Sequence, residues 1–153
     1  MKITDFVSVH TVIPALASHE KDAALAELAA GLAAKYDHLD QAKVLGVLQE
    51  RERISSTAIG DGVAIPHGKL PGLDRIYGVF ARSQEEVDFK SLDGEPTHLF
   101  FVLIAPENAA ADHLKALARI SRLLKDTGFR QRLMTGKSPQ ELFTLISEED
   151  DRF

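Results

Sequence analysis

The chain has 153 residues, of which 44% are hydrophobic and 27% charged, with a net charge of -5 and no cysteine. That length suits one domain with a sizeable core, and the acidic balance leaves no basic surplus for a phosphate backbone, which excludes an ordinary nucleic-acid reader. Without cysteine there is no disulfide framework, no thiolate nucleophile and no thiolate-bound metal. The N-terminal "MKITDFVSVHTV" lacks an apolar signal core, and "LFFVLIAP" at 99–106 is too short to span a bilayer, so a soluble, cytoplasmic protein is expected.

In chain order, "TVIPALA" (11–17) is apolar and β-branched at its start and predicts a strand. Ser18 is placed to cap a helix over 19–35, carrying Leu25, Leu28, Ala29 and Leu32 at helical spacing. Asp40 caps a second helix with Val44, Leu45 and Leu48, running out in "QERER" at 49–53. The glycine- and proline-rich stretch 54–72 predicts two short extended pieces around a turn at Gly60-Asp61-Gly62. "RIYGVFARS" (75–83) alternates as a strand, "VDF" (87–89) is a brief extended piece, and "THLFFVLIAP" (97–106) is a central strand covered on both faces. Leu117, Ile120 and Leu124 define a helix over 109–126 whose apolar stripe extends back to His113. "FRQRLM" (129–134) is a short helix, and "SPQE" (138–141) is a capping box with Pro139 at the first helical position. "EEDD" (148–151) is expected as part of a solvated acidic tail beyond a core of about 4–148. The whole predicts an α/β single-domain sandwich spanning 1–153, a mixed β-sheet flanked by helices on both faces.

Of six histidines, His10, His19, His38 and His98 sit at element ends or in a charged connection and need no function. His67 differs. In "IGDGVAIPHG" (59–68) Pro66 forces Ile65 into an extended conformation, and Gly68 permits close backbone approach, so the imidazole is held at the end of a strand. A neutral imidazole is a nucleophile near pH 7, and backbone N–H groups of Gly68 and Lys69 can receive the charge of a phosphoryl group. A turn histidine that only caps a strand fits the same pattern. His113 fits either a satisfied core residue or, in the first turn of a helix, a group that helps hold an anion. Arg51 and Arg53 complement the dipole at the end of the second helix, or one guanidinium reaches phosphoryl oxygens. Hydroxyls at Ser55, Ser56 and Thr57 lie nearby. There is no Walker loop, dinucleotide fingerprint, G-x-S-x-G elbow or H-E-x-x-H, so neither a cofactor nor a metal is expected.

"STAIGDGVAIPHGKL" places His67 sixteen residues after Arg51, and "DHLKALARISRLL" places His113 a further 46 residues on. Together they resemble the IIA components of the phosphoenolpyruvate-dependent phosphotransferase system, of the mannitol/fructose-type superfamily, across nearly the whole chain. "ERERISSTAIG" is similar to the nitrogen-regulatory branch; Ala58 stands where the family commonly has glycine. The resemblance implies that His67 accepts a phosphoryl group from the histidine phosphocarrier HPr or its nitrogen-branch paralogue. It implies that His113 orients and stabilises the phosphohistidine and that Arg51 is the family's site arginine. The output implied is phosphorylation-dependent binding to regulatory target proteins. A sugar-specific IIA that passes phosphate to a IIB partner, and a non-catalytic anion- or protein-binding module, are the alternatives.

Overall fold

The computed structural model describes residues 1–152. In chain order it contains β1 (Val12–Ile13), α1 (Lys21–Lys35), α2 (Gln41–Ile54), β2 (Ala58–Gly60), β3 (Val63–Ala64) and β4 (His67–Lys69). Then follow β5 (Tyr77–Val87), β6 (Thr97–Ala105), α3 (Ala110–Leu124), α4 (Thr127–Thr135) and α5 (Pro139–Asp150). The sheet runs β1-β5-β6-β3-β2, with β4 also paired to β6. β5/β6 and β2/β3 are antiparallel, and β1/β5, β3/β6 and β4/β6 are parallel, so the sheet is mixed and open.

β6 organises the fold because both its faces are apolar, as the dense run 97–106 predicts. Leu99, Phe101 and Leu103 pack into a core with Ala116, Ile120, Phe129, Leu142 and Ile146 from α3, α4 and α5. Phe100, Val102 and Ile104 pack into a second core with Leu25, Leu28, Leu32, Val44 and Leu48 from α1 and α2. Each fully buried side chain of this kind contributes roughly 1.5–3 kcal/mol. β5 divides its residues in the same way, Phe80 to one core and Tyr77, Val79 and Ala81 to the other. The sandwich is therefore α/β, with helices on both faces of a mixed sheet. Among the described residues no helix is long and apolar enough to cross a membrane.

Several expectations shift when long-range partners are in place. The 11–17 strand shrinks to Val12–Ile13, and the residue that follows is Pro14, which cannot donate to a ladder. Ser18 does not cap α1: its N–H and hydroxyl both donate to Glu27 (3.0 and 2.7 Å), and Glu20 accepts from Ala23 N–H (2.8 Å) instead. "VDF" is not a separate piece, because β5 continues through an irregular pairing to Val87. The stretch 54–72 holds three short strands, not two, and His67 opens the third instead of ending one. Ser138 caps α5 by accepting from Glu141 N–H (3.0 Å), while the Glu141 carboxylate accepts from Lys137 N–H (2.9 Å) and leaves the box open.

The largest departure is at 148–151. Glu149 and Asp150 are helical and buried, not a solvated tail. Asp150 accepts from Ile3 N–H (2.7 Å) and pairs with Arg119; Glu149 pairs with Arg132 (3.0 Å) and Arg152 (2.9 Å). Three guanidiniums and a backbone N–H thus offset the desolvation of two carboxylates and fasten the C-terminal helix to the N-terminus.

Candidate active site

β3 and β4 form one interrupted edge along β6. Val63 and Ala64 pair with Leu99 and Phe100, His67 to Lys69 pair with Leu103 to Ala105, and the register is the same on both sides of Ile65-Pro66. Pro66 C=O accepts from Leu103 N–H (3.0 Å) and Leu70 N–H donates to Ala105 C=O (2.9 Å), so even-numbered residues bond towards β6. Ile65 N–H points the other way and donates to Thr57 C=O (3.1 Å). Alternation along the strand gives the backbone groups of His67 and Lys69 that same outward direction, past the point where β2 stops. Gly68 faces α2: a Cβ there would lie 3.1 to 3.3 Å from the Val47 side chain and carbonyl. Only a glycine lets β4 sit this close to the helix.

These outward edges open into a cleft of roughly 550 Å³ between the end of α2 and the start of α3. His67, Gly68 and Lys69 line it from β4, Arg51 from α2, and His113 from α3. All five positions singled out from sequence therefore meet in one place. The rings of His67 and His113 stand edge to face with centroids 5.4 Å apart. Arg53 is not brought in; it pairs with Glu50 on the exposed face of α2. Nor are the three neighbouring hydroxyls: Ser56 Oγ donates to Phe89 C=O (3.1 Å), Thr57 Oγ1 donates to Glu52, and Ser55 offers only its carbonyl, to Arg51 (2.9 Å).

The two imidazoles differ in state. Ile65 C=O lies 2.7 Å from His67 Nδ1 and accepts its proton, so the neutral ring keeps its lone pair on Nε2. Burial pushes the pKa of His67 below the usual histidine value, opposed by the Ile65 carbonyl, with Arg51 lowering it further and Glu52 raising it. His113 is 6% exposed, and its Nε2 is buried with no hydrogen-bond partner. Burial first, then the positive charge available at His67 and Lys69, lowers its pKa to about 4. Near neutral pH the cleft thus holds two uncharged rings, with the cations Arg51 and Lys69 beside them. The first turn of α3, which has no side-chain cap at Ala109, brings its positive dipole end to the same place. An anion bonded to the His67 ring is what this set can hold: His113 and the outward N–H groups would face it, and the cations would offset its charge.

Sequence reasoning missed the frame of the cleft. Ile54 and Leu114 are 80% and 67% exposed and stand with Val47 and Leu117 as an apolar rim around polar groups. Leu114 was the legible one, since it falls off the buried stripe of α3 next to His113. Glu52, hidden in the charged run "QERER", is buried and bonded to Lys21 and Thr57.

Comparison with known proteins places the chain in a family. Residues 5–149 match the family described as "Phosphoenolpyruvate-dependent sugar phosphotransferase system, EIIA 2". The chain is 48% identical over 147 residues to a nitrogen regulatory protein of Bradyrhizobium diazoefficiens, covering 96% of this chain and 95% of that one. It is 36% identical over 150 residues to the fructose-specific EIIABC component of Bacillus subtilis, covering 98% of this chain but 24% of that longer protein. The crystal structure of nitrogen regulatory protein IIA-Ntr from Neisseria meningitidis superposes with a TM-score of 0.88 at 32% identity, covering 94% of this chain and 98% of that one. IIA mannitol from Escherichia coli, 20% identical with a TM-score of 0.75 over 91% and 97% of the two chains, shares the fold. On these matches the chain belongs to the IIA family of the phosphoenolpyruvate-dependent phosphotransferase system, with nitrogen-regulatory relatives along almost its entire length.

Proposed function

We propose that His67 is a phosphoryl acceptor, charged by an HPr-type histidine phosphocarrier, and that the phosphorylation state of the cleft governs which regulatory target proteins bind. The observation that carries this reading is the bond from His67 Nδ1–H to Ile65 C=O, which leaves Nε2 as the nitrogen with a free lone pair. In transfer, that lone pair attacks phosphorus in line while the P–N bond of the donor breaks and its electron pair stays on the donor nitrogen. Charge spreads over the three transferring oxygens, and catalysis is mostly positioning and electrostatics. The acceptor ring keeps its Nδ1 proton and becomes cationic, offset by the phosphoryl group it now carries. His113, Arg51 and Lys69 N–H, which points to the open edge, are assigned to the phosphoryl oxygens. Gly68 N–H points into the β6 ladder and is not available as the donor expected from sequence, so Gly68 contributes only by letting β4 approach α2 closely. The apolar rim of Ile54 and Leu114 suits carrier docking and exclusion of water. A bound phosphoryl group adds about -1.5 to -2 charges at that rim, enough to repel or recruit a partner.

The test is labelling by radioactive phosphoenolpyruvate through the first enzyme of the system and each class of carrier. The reading predicts acid-labile, base-stable label that disappears in His67→Ala; label that persists in that variant removes His67 as acceptor. The likeness to a fructose-specific component favours a second reading, a sugar-specific IIA. A purified IIB partner that drains the label onto a sugar would decide for it, and absence of covalent phosphate with every carrier would leave an anion- or protein-binding module.

A further inference from the structure

The buried carboxylate of Glu52 has no part in the transfer just described, yet it stands at the head of a hydrogen-bond chain that ends on the nucleophile. Glu52 Oε1 accepts from Thr57 N–H (3.1 Å), and Thr57 Oγ1 donates to Oε2. Thr57 C=O accepts from Ile65 N–H (3.1 Å), and Ile65 C=O accepts from His67 Nδ1–H (2.7 Å). On its other side Glu52 pairs with Lys21 Nζ (2.9 Å), from the first turn of α1, and that ammonium lies 5.0 Å above the buried Phe89 ring. The carboxylate thus ties α1, through Lys21, to the segment that leads through Thr57 and Ile65 to His67.

Each link has a physical reason. Pro66 has no N–H, and its carbonyl is held by Leu103 N–H on the β6 side, which leaves the opposite side of the Ile65-Pro66 step to the backbone of Ile65. Ile65 is the only residue between the two strands whose N–H is held from outside, by Thr57. The carbonyl that selects the His67 tautomer is therefore placed through Thr57, and Thr57 is fixed by Glu52 at both its N–H and its hydroxyl. A neutral spacer would fill the volume without the cost of burying a charge. Arg51, the neighbouring residue in the last turn of α2, is held separately, its guanidinium donating to Ser55 C=O (2.9 Å).

We infer that Glu52 is a positioning residue for phosphoryl transfer: through Thr57 and Ile65 it holds His67 in the Nδ1–H tautomer with Nε2 free to attack. The chain acts by geometry, since it passes through the Cα atoms of Thr57 and Ile65 and is not a proton wire. The inference rests on the phosphocarrier reading for its consequence, but the tautomer itself is measurable without any transfer.

The experiment is nitrogen-15 NMR of the His67 ring, with single-turnover transfer from phosphorylated carrier, in wild type, Glu52→Gln, Thr57→Val and Thr57→Ser. Wild type is expected almost wholly as the Nδ1–H tautomer. Glu52→Gln should give a mixture of tautomers and slow transfer about tenfold or more, as displaced catalytic groups do, without weakening carrier docking. Thr57→Val, which keeps the N–H link but loses the hydroxyl, should fall between, and Thr57→Ser should restore both readings. If Glu52→Gln does not fold, Thr57→Val carries the comparison. A folded variant with the wild-type tautomer overturns the inference, as does a shifted tautomer with unchanged transfer. A wild type that takes no phosphate from any carrier fails the functional reading instead, while the tautomer comparison still decides the geometry.

Discussion

Two imidazole clusters border this sheet. In one, His38 stacks edge to face on Tyr77 with centroids 5.3 Å apart. Its Nε2 meets the Tyr77 hydroxyl at 2.9 Å, that hydroxyl donates to Asp74 at 2.6 Å, and the Arg75 guanidinium lies 4.4 Å over the Tyr77 ring. In the other, His67 and His113 stand at nearly the same separation, 5.4 Å, but the buried Nε2 of His113 has no partner. The first cluster satisfies its polar atoms internally and stabilises the fold. The second leaves the buried Nε2 of His113 without a protein partner, with Arg51 and Lys69 lining the same cleft. The contrast is between a histidine bonded within the fold and a pair of histidines that line an open cleft.

Acid stability gives the largest expected difference. The pKa of His113 is about 4 in the folded protein against 6.5 unfolded. Above pH 6.5 both forms are neutral and stability is complete. As pH falls from 6.5 towards 4 the unfolded chain takes the proton first, and stability is lost by up to about 3 kcal/mol. Urea melts across that range should show a clearly flatter pH slope for His113→Gln than for wild type; parallel slopes would place His113 in an ordinary environment. His113→Ala should slow phosphoryl transfer by on the order of 10²-fold with the fold intact, the cost of losing one oriented donor, measured in a single turnover. Unchanged transfer would return His113 to the core. Tyr77→Phe, by contrast, should leave transfer untouched and cost about 1–2 kcal/mol of stability in denaturant melts, because His38 and Asp74 lose their shared partner. Gly68→Ala should cost about 1 kcal/mol, by pushing β4 off Val47, with transfer falling as the cleft edge moves.

What is legible in the sequence depends on where each residue's partners lie. β6 and α3 were legible because their signals are local: a dense apolar run in one, a repeat of three and four in the other. "IPHG" was legible as a rigid-flexible clamp, yet its place at the start of a strand was not, since pairing with Leu103 to Ala105 sets that. "QERER" and "EEDD" both resemble solvated charge. Glu52 and Asp150 are nevertheless buried, because remote partners meet them: Lys21 lies 31 residues from Glu52, Arg119 lies 31 residues from Asp150, and Ile3 lies 147 from Asp150. No local pattern reports such partners. The cleft positions, in contrast, are legible locally: Arg51, His67 and His113 by their identities and spacing, and Gly68 and Lys69 as neighbours of the clamped imidazole. The rim of Ile54 and Leu114 had to be seen in three dimensions.

The central claim is that the nitrogen left free by the Ile65 carbonyl is the one that carries phosphorus. Phosphorylating the protein with its carrier and reading phosphorus–nitrogen coupling in the labelled His67 ring tests this directly. The account predicts phosphate on Nε2 with Nδ1 still protonated towards Ile65; phosphate on Nδ1, or on any other residue, would contradict it.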